Sequence, residues 1–244
     1  MPRTQKLTRK SGLRTQRIPH RKSEKGPLYV IFDLDGTLVD VDALNKPPLP
    51  SPVGFPKSMI TSNDFVDSKG QQMHYPMYLR PGVKQFLDYL LTNPNRYRVG
   101  VWTASFKNYS VGVVRKLFGE DYRKKLFCLL GTDEIPDPKT GEPMRVIENI
   151  YTGKHLPSRT VNKKVVKDLS TLFKEYPELN SQNTLLVDDL LMHKRENPAE
   201  TQKCVYSISL WDPFEKQEDN ELVKLLKLAK QNKLINIGQS VNRK

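Results

Sequence analysis

Leu28-Tyr29-Val30-Ile31-Phe32-Asp33-Leu34-Asp35-Gly36-Thr37 decides how this chain reads. Five apolar residues, β-branched and aromatic among them, stop abruptly at a carboxylate. A run this short fits a strand buried on both faces. Asp33 and Asp35 stand two apart, and at strand spacing two such carboxylates point the same way. That pair suits covalent phosphoryl transfer: one ionised acid attacks phosphorus, and the other gives a proton to the leaving oxygen and later activates water. The two need different protonation states and therefore unlike environments. Gly36 permits a sharp turn and a close backbone approach to an anion. A calcium loop does not fit, because an EF-hand counted from Asp33 would need its glycine at the sixth position and an acid at the twelfth. Gly36 is fourth, and the twelfth is Leu44.

Outward from this stretch, residues 40–79 read as loop, with Pro47, Pro48, Pro50, Pro52 and Pro56 against regular structure. Val83, Phe86, Leu87, Leu90 and Leu91 follow a helical period between Pro81 and Pro94. Tyr97–Thr103 is a second strand. A second helix, marked by Tyr109, Val113 and Leu117, stops at Gly119. Leu126–Leu130 is a third strand. From 131 to 163 turn residues dominate, with room for a small β hairpin around Val146–Tyr151. A helical stretch carries Leu172, Phe173 and Tyr176, and strands follow at Thr184–Val187 and Cys204–Leu210. Asp212-Pro-Phe-Glu215 offers the cap of a last helix through Leu222, Leu225, Leu226 and Ala229. Strands alternating with helices argue an α/β fold, a parallel sheet covered on both faces.

In such sheets ligands bind beyond the carboxyl ends of the strands. Those ends carry Asp33 and Asp35, then Thr103-Ala-Ser105, then Asp188-Asp189. Adjacent carboxylates repel unless a cation lies between them. Oxygen-only ligation suits Mg²⁺, although a helix cap also explains Asp188-Asp189. Thr103 reads either as a hydroxyl for a phosphate oxygen or as a polar strand terminus. Lys167 leaves the apolar run Val165-Val166 as the acids leave theirs, or is a solvated lysine in a basic chain. Histidines 20, 74, 155 and 193 show no ligand or triad spacing and read as incidental.

Asp33-Leu-Asp-Gly-Thr-Leu-Val39 resembles the first motif of haloacid dehalogenase-like hydrolases. Leu79-Arg-Pro-Gly82, Val101-Trp-Thr-Ala-Ser105, Val166-Lys-Asp-Leu-Ser170 and Leu186-Val-Asp-Asp189 narrow the resemblance to the RNA polymerase II C-terminal-domain phosphatase and NLI-interacting factor group. Phe173-Lys-Glu-Tyr-Pro177 and Asn197-Pro198 are similar to the branch that carries a ubiquitin-like domain, which is not expected here. The resemblance implies a Rossmann-like sheet with a small β insertion and no large cap. It implies Asp33 as nucleophile and Mg²⁺ ligand, and Asp35 as general acid/base whose backbone carbonyl also ligates the metal. It further implies Thr103 and Lys167 on the phosphate and Asp188 and Asp189 on the Mg²⁺ side, Asp189 in preference to Asp188 as direct ligand. The expected activity is a Mg²⁺-dependent protein serine/threonine phosphatase with an aspartyl-phosphate intermediate, its substrate a phosphorylated protein. The alternatives are a nucleic-acid end phosphatase and a non-catalytic binding protein on the same fold.

Charge divides the chain. It has 244 residues and a formal net charge of +13, with 37% hydrophobic residues. Residues 1–26 hold nine Lys/Arg against Glu24 alone, which is +8, leaving +5 for the rest. That segment is expected to be a disordered basic tail, serving as a nuclear-import signal, a docking arm for nucleic acid or acidic protein, or a mitochondrial presequence. The expected divisions are thus tail 1–26, phosphatase domain 27–236 and a short tail 237–244. No apolar run reaches the roughly 20 residues of a membrane helix, and no secretory signal is read. Cys128 and Cys204 show no disulfide or zinc pattern. A monomer in the nucleus is expected, with cytoplasm or mitochondrion as alternatives.

Overall fold

The computed structural model describes residues 26–41, 55–67, 69–161, 164–215 and 218–237. The basic segment up to residue 25, the prolines at 47–52 and the tail beyond 237 lie outside the described residues. Among the described residues no helix is long and apolar enough to cross a membrane.

The strands are β1 (Leu28–Phe32), β2 (Val39–Val41), β3 (Ile60–Val66), β4 (Gln72–Leu79), β5 (Tyr97–Phe106), β6 (Leu126–Pro136), β7 (Pro143–Asn149), β8 (Lys154–Leu156), β9 (Arg159–Val161), β10 (Lys164–Val166), β11 (Thr184–Asp188) and β12 (Val205–Ser207). The helices are α1 (Val83–Leu91), α2 (Lys107–Phe118), α3 (Tyr122–Lys125), α4 (Leu169–Glu175), α5 (Leu191–Glu196), α6 (Ala199–Gln202) and α7 (Glu221–Lys230). The main sheet runs β12-β11-β1-β5-β6-β7-β8. Its first five strands are parallel, and β7 and β8 add an antiparallel edge.

The central strand explains itself. Val30 and Phe32 point into one apolar core, which α1, α2 and α7 cover, while Ile31 points into the other, shared with Leu169 and Leu172 of α4. A strand buried on both faces needs apolar residues at every position, as β1 has. The chain builds outward from β1 to β5 and β6, then returns to place β11 and β12 on the other side. The strand order therefore reverses between β1 and β11, the place where open α/β sheets bind ligands.

Four expectations change. Residues 40–79 are not a loop throughout: β2, β4 and β3 form a separate antiparallel sheet. The prolines near 50 masked the alternation that follows them, and Pro76 lies one residue past the β2–β4 ladder, which ends at Val41–Met77. The region 131–163 is more than one small hairpin, because β6 runs on to Pro136 and carries β7 and β8 in the main sheet, while β9 and β10 pair on their own. The strand expected at Cys204–Leu210 keeps only Val205–Ser207, since its sole partner β11 offers three residues of register. Finally, Asp212 does not cap the last helix. Its carboxylate accepts the Phe214 N–H at 2.7 Å in a local turn, and α7 begins at Glu221.

Candidate active site

β1 hands over to a tight loop. The Leu34 carbonyl accepts the N–H groups of Thr37, Leu38 and Val39, and the Gly36 N–H reaches the Val39 carbonyl at 2.8 Å. Gly36 has φ +74°, and a Cβ there would lie 2.6 Å from Leu210 Cδ1 and 3.1 Å from the Asp189 carboxylate. Both the backbone conformation and the space demand glycine.

Arg80 ties this loop to Asp219, just before α7. Fully buried, it donates from Nη1 to the carbonyls of Gly36 and Thr37, at 3.1 and 3.2 Å. Its Nε and Nη2 grip Asp219 at 3.0 and 2.7 Å, and Nη2 also reaches the Ser209 carbonyl at 2.9 Å. Only a planar, five-donor cation can serve so many acceptors at once.

Beyond the ends of β1, β10 and β11 lies a buried charge cluster. Lys167 Nζ stands 2.5 Å from Asp33 Oδ1 and 2.6 Å from Asp188 Oδ2, and its side chain is 2% exposed. Carboxylate oxygens of Asp33, Asp188 and Asp189 all lie within 4.8 Å of one another. Burial pushes the Asp33 pKa well up, Lys167 pulls it back, and Asp188 pushes it up again. Burial and then Asp188 likewise raise Asp189. Burial opposes the Lys167 charge, but Asp188 and Asp33 outweigh it and hold the lysine protonated. Three acids against one lysine leave an excess of negative charge in a dry place. A small oxygen-seeking cation fits that donor set.

Asp35 faces elsewhere. Its Oδ1 accepts the Tyr109 hydroxyl and its Oδ2 accepts the Ser105 hydroxyl at 2.9 Å. Burial raises its pKa, against the pull of these two donors. Its carboxylate is not part of the three-acid cluster. The two acids of the first loop therefore have unlike environments: a lysine for one, hydroxyls for the other. Thr103 is buried at the same edge, its hydroxyl oxygen accepting the Ser105 N–H at 3.2 Å. Thr37 bridges the first loop to Asp189, donating its hydroxyl at 3.3 Å and accepting the Asp189 N–H at 3.1 Å.

All six residues singled out in the sequence thus lie at one edge of the sheet. The sequence does not point to others: Ser105 reads as a strand end, Tyr109 as a helix marker and Arg80 as part of a motif. His193 is not incidental: it is buried, and burial lowers its pKa to about 4, keeping it neutral. An apolar position at a helix start is the one signal that could have found it. His74 and His155 do lie at the surface, beside Asp64 and Asp133.

A groove of about 950 Å³ opens beside Asp35, lined by Ser105 and Tyr109 and by Phe65, Tyr75, Phe106, Ile135 and Arg145. Its walls are the β3–β4 hairpin on one side and the β6–β7 hairpin on the other.

Residues 28–135 match the family described as NLI interacting factor-like phosphatase. The CTD phosphatase-like protein 355R of Invertebrate iridescent virus 3 is 27% identical over 202 residues, covering 81% of this chain and 92% of its own. Its counterpart in Invertebrate iridescent virus 6 is 26% identical over 203 residues, 80% and 93% of the two chains. Among solved structures, the RNA polymerase II CTD phosphatase Fcp1 aligns with a TM-score of 0.47 at 16% identity, over 88% of this chain and 53% of that one. A fission yeast Fcp1 variant bound to beryllium fluoride aligns with a TM-score of 0.46 at 17% identity, over 88% and 55%. The chain spans about half the length of these two structures. The motif order and the strand-end acids agree with the similarity of residues 28–135 to the NLI interacting factor-like phosphatase family.

Proposed function

We propose that the protein is a Mg²⁺-dependent phosphatase of phosphoserine or phosphothreonine in proteins, working through an aspartyl-phosphate on Asp33. The observation that carries this is the separation of the two loop acids, Asp33 on Lys167 and Asp35 on two hydroxyls. Lys167 engages one oxygen of Asp33, so attack on phosphorus falls to the other. As the P–O bond to the leaving serine or threonine breaks, Asp35, whose burial favours its protonated form, donates its proton to that oxygen. The Asp35 carboxylate then takes a proton from water, which attacks the aspartyl-phosphate and frees Asp33 and inorganic phosphate. Lys167 and Thr103 meet the phosphoryl oxygens, where negative charge spreads in flight. Asp33, Asp188 and Asp189, with the Asp35 carbonyl, would hold Mg²⁺, which when bound supplies positive charge to the cluster and to the phosphate.

The groove favours a polymer. It is open, it begins at the two residues that hold Asp35, and its aromatic and aliphatic walls suit the side chains flanking a phosphorylated residue. Asp67, Asp133, Glu134 and Glu148 line it against Lys107 and Arg145, a poor bed for a nucleic-acid backbone. The domain would span 27–236, working as a monomer. The basic segment 1–26 would serve nuclear import or docking to an acidic partner. The test is a panel of phosphopeptides, phosphorylated oligonucleotide ends, nucleotides and sugar phosphates at fixed salt. The expected result is kcat/KM for phosphoserine or phosphothreonine peptides well above the others. A preference for oligonucleotide ends would make the protein a nucleic-acid phosphatase instead.

A further inference from the structure

Lys167 stands between the last residue of β10 and the N-cap of α4, so no ladder or helix satisfies its own backbone. Buried peptide groups must find partners, and here two side chains at the end of the β11 connection supply them. His193 Nδ1 accepts the Lys167 N–H at 3.2 Å. Asn197 Nδ2 donates to the Lys167 carbonyl at 2.8 Å, and its Oδ1 accepts the Leu169 N–H at 2.9 Å. The same Asn197 amide donates to the His193 carbonyl at 2.6 Å, and the Thr201 hydroxyl donates to Asn197 Oδ1 at 3.3 Å. Both residues are buried, at 1% and 3% exposure.

The hydrogen bond to Lys167 also fixes the imidazole. A backbone N–H only donates, so Nδ1 carries no proton and the ring proton sits on Nε2. That Nε2 is buried with no hydrogen-bond partner among the described residues, and it lies 4.0 Å from Asp188 Oδ1. The positive edge of the ring therefore faces the carboxylate that Lys167 also holds.

We propose that His193 and Asn197 are positioning residues that set where the Lys167 ammonium stands, and hence where a phosphate is received. The proposal rests on the reading of Lys167 as a phosphate contact. The clamp grips the lysine at both its N–H and its carbonyl. The side chain then reaches Asp33 and Asp188 from a fixed base, and a backbone free to shift would carry the ammonium with it.

The test uses the full chain with Mg²⁺ and reads three quantities: inorganic phosphate binding by calorimetry, kcat and KM on a small chromogenic phosphate ester, and the thermal midpoint. Asn197→Ala and His193→Leu should weaken phosphate binding about tenfold or more, since a misplacement of about 1 Å can cost a hundredfold. His193→Asn, which returns an acceptor near Nδ1, should recover most of that loss. Leu179→Ala, a buried change in the core on the α4 side of the sheet, should lower the midpoint and leave phosphate binding alone. A clamp that is merely structural would behave like Leu179→Ala. Wild-type phosphate affinity in folded His193→Leu or Asn197→Ala, or equal losses in His193→Leu and His193→Asn, overturns the proposal. Should Asn197→Ala not fold, the pair at His193 decides alone. A wild-type protein that binds phosphate but hydrolyses no ester defeats the phosphatase reading and leaves this one to the variants. Absence of both binding and turnover defeats both.

Discussion

Two acids two residues apart meet different neighbours, and the roles proposed for them follow from that. Asp33→Asn should abolish turnover of every phosphate ester with the fold intact, since an amide neither attacks phosphorus nor holds a cation as a carboxylate does. Near-wild-type turnover by that variant would rule out the aspartyl-phosphate route. Tyr109→Phe removes one of the two hydroxyls on Asp35 while keeping the ring that stacks edge-on against Phe65. It should lower kcat by roughly tenfold, toward the lower end of what a positioned acid/base contributes, with little change in the thermal midpoint. Ring-stripping Tyr109→Ala should lose both, and equal effects from the two variants would mean that the hydroxyl is idle. At this scale the sequence was legible where chemistry sits next to a strand: Asp33, Asp35, Thr103 and the Asp188-Asp189 pair announce themselves by ending apolar runs. Tyr109 and His193 stayed hidden, because a single polar atom on an otherwise packed side chain leaves no mark in a periodicity.

Elements show what the buried ion pair does. Arg80 sits just after β4, and Asp219 just before α7, so their contact ties the small sheet, the first loop and the last helix together. Arg80→Met should destabilise the protein by about 3–5 kcal/mol, because Asp219 stays buried and loses its charge partner. Denaturant melts of the variant check this. Arg80→Lys should fall well short of rescue, as one ammonium cannot reach Gly36, Thr37, Ser209 and Asp219 together. Full stability in Arg80→Lys would reduce the contact to simple charge pairing. β1, β5 and β11 could be read beforehand as apolar runs, and α1 and α2 from their helical period. β3 and β4 could not, since their burial is partial and their neighbours in sequence are prolines. The extension of β6 into β7 and β8 was equally hard to see, because antiparallel edge strands owe their shape to partners rather than to composition.

For the whole molecule, the proposed function makes the charge balance of the three-acid cluster depend on a metal. Chelation should remove activity and Mg²⁺ should restore it, whereas Ca²⁺ should bind without supporting turnover, as it prefers looser and higher coordination. Full activity in a chelated, metal-free preparation would refute this. Removing residues 1–26 should leave kcat on a small ester nearly unchanged and alter only localisation or binding to acidic partners, because the +8 of that segment stands apart from the +5 of the rest. A large loss of kcat in the truncated chain would bring the basic segment into the chemistry.

The Arg80–Asp219 contact also bears on how the protein is made. Synthesis delivers the lysine 134 residues after Asp33, and the partner of Arg80 139 residues after Arg80. Until then a ribosome-bound chain has an acid-rich strand end without its cation and a buried-to-be arginine without its acid. Long-range contacts of this kind form slowly and last. A chain that stops short of Asp219 therefore has every strand of the main sheet but leaves Arg80 without its acid, and should be unstable enough for quality control to remove.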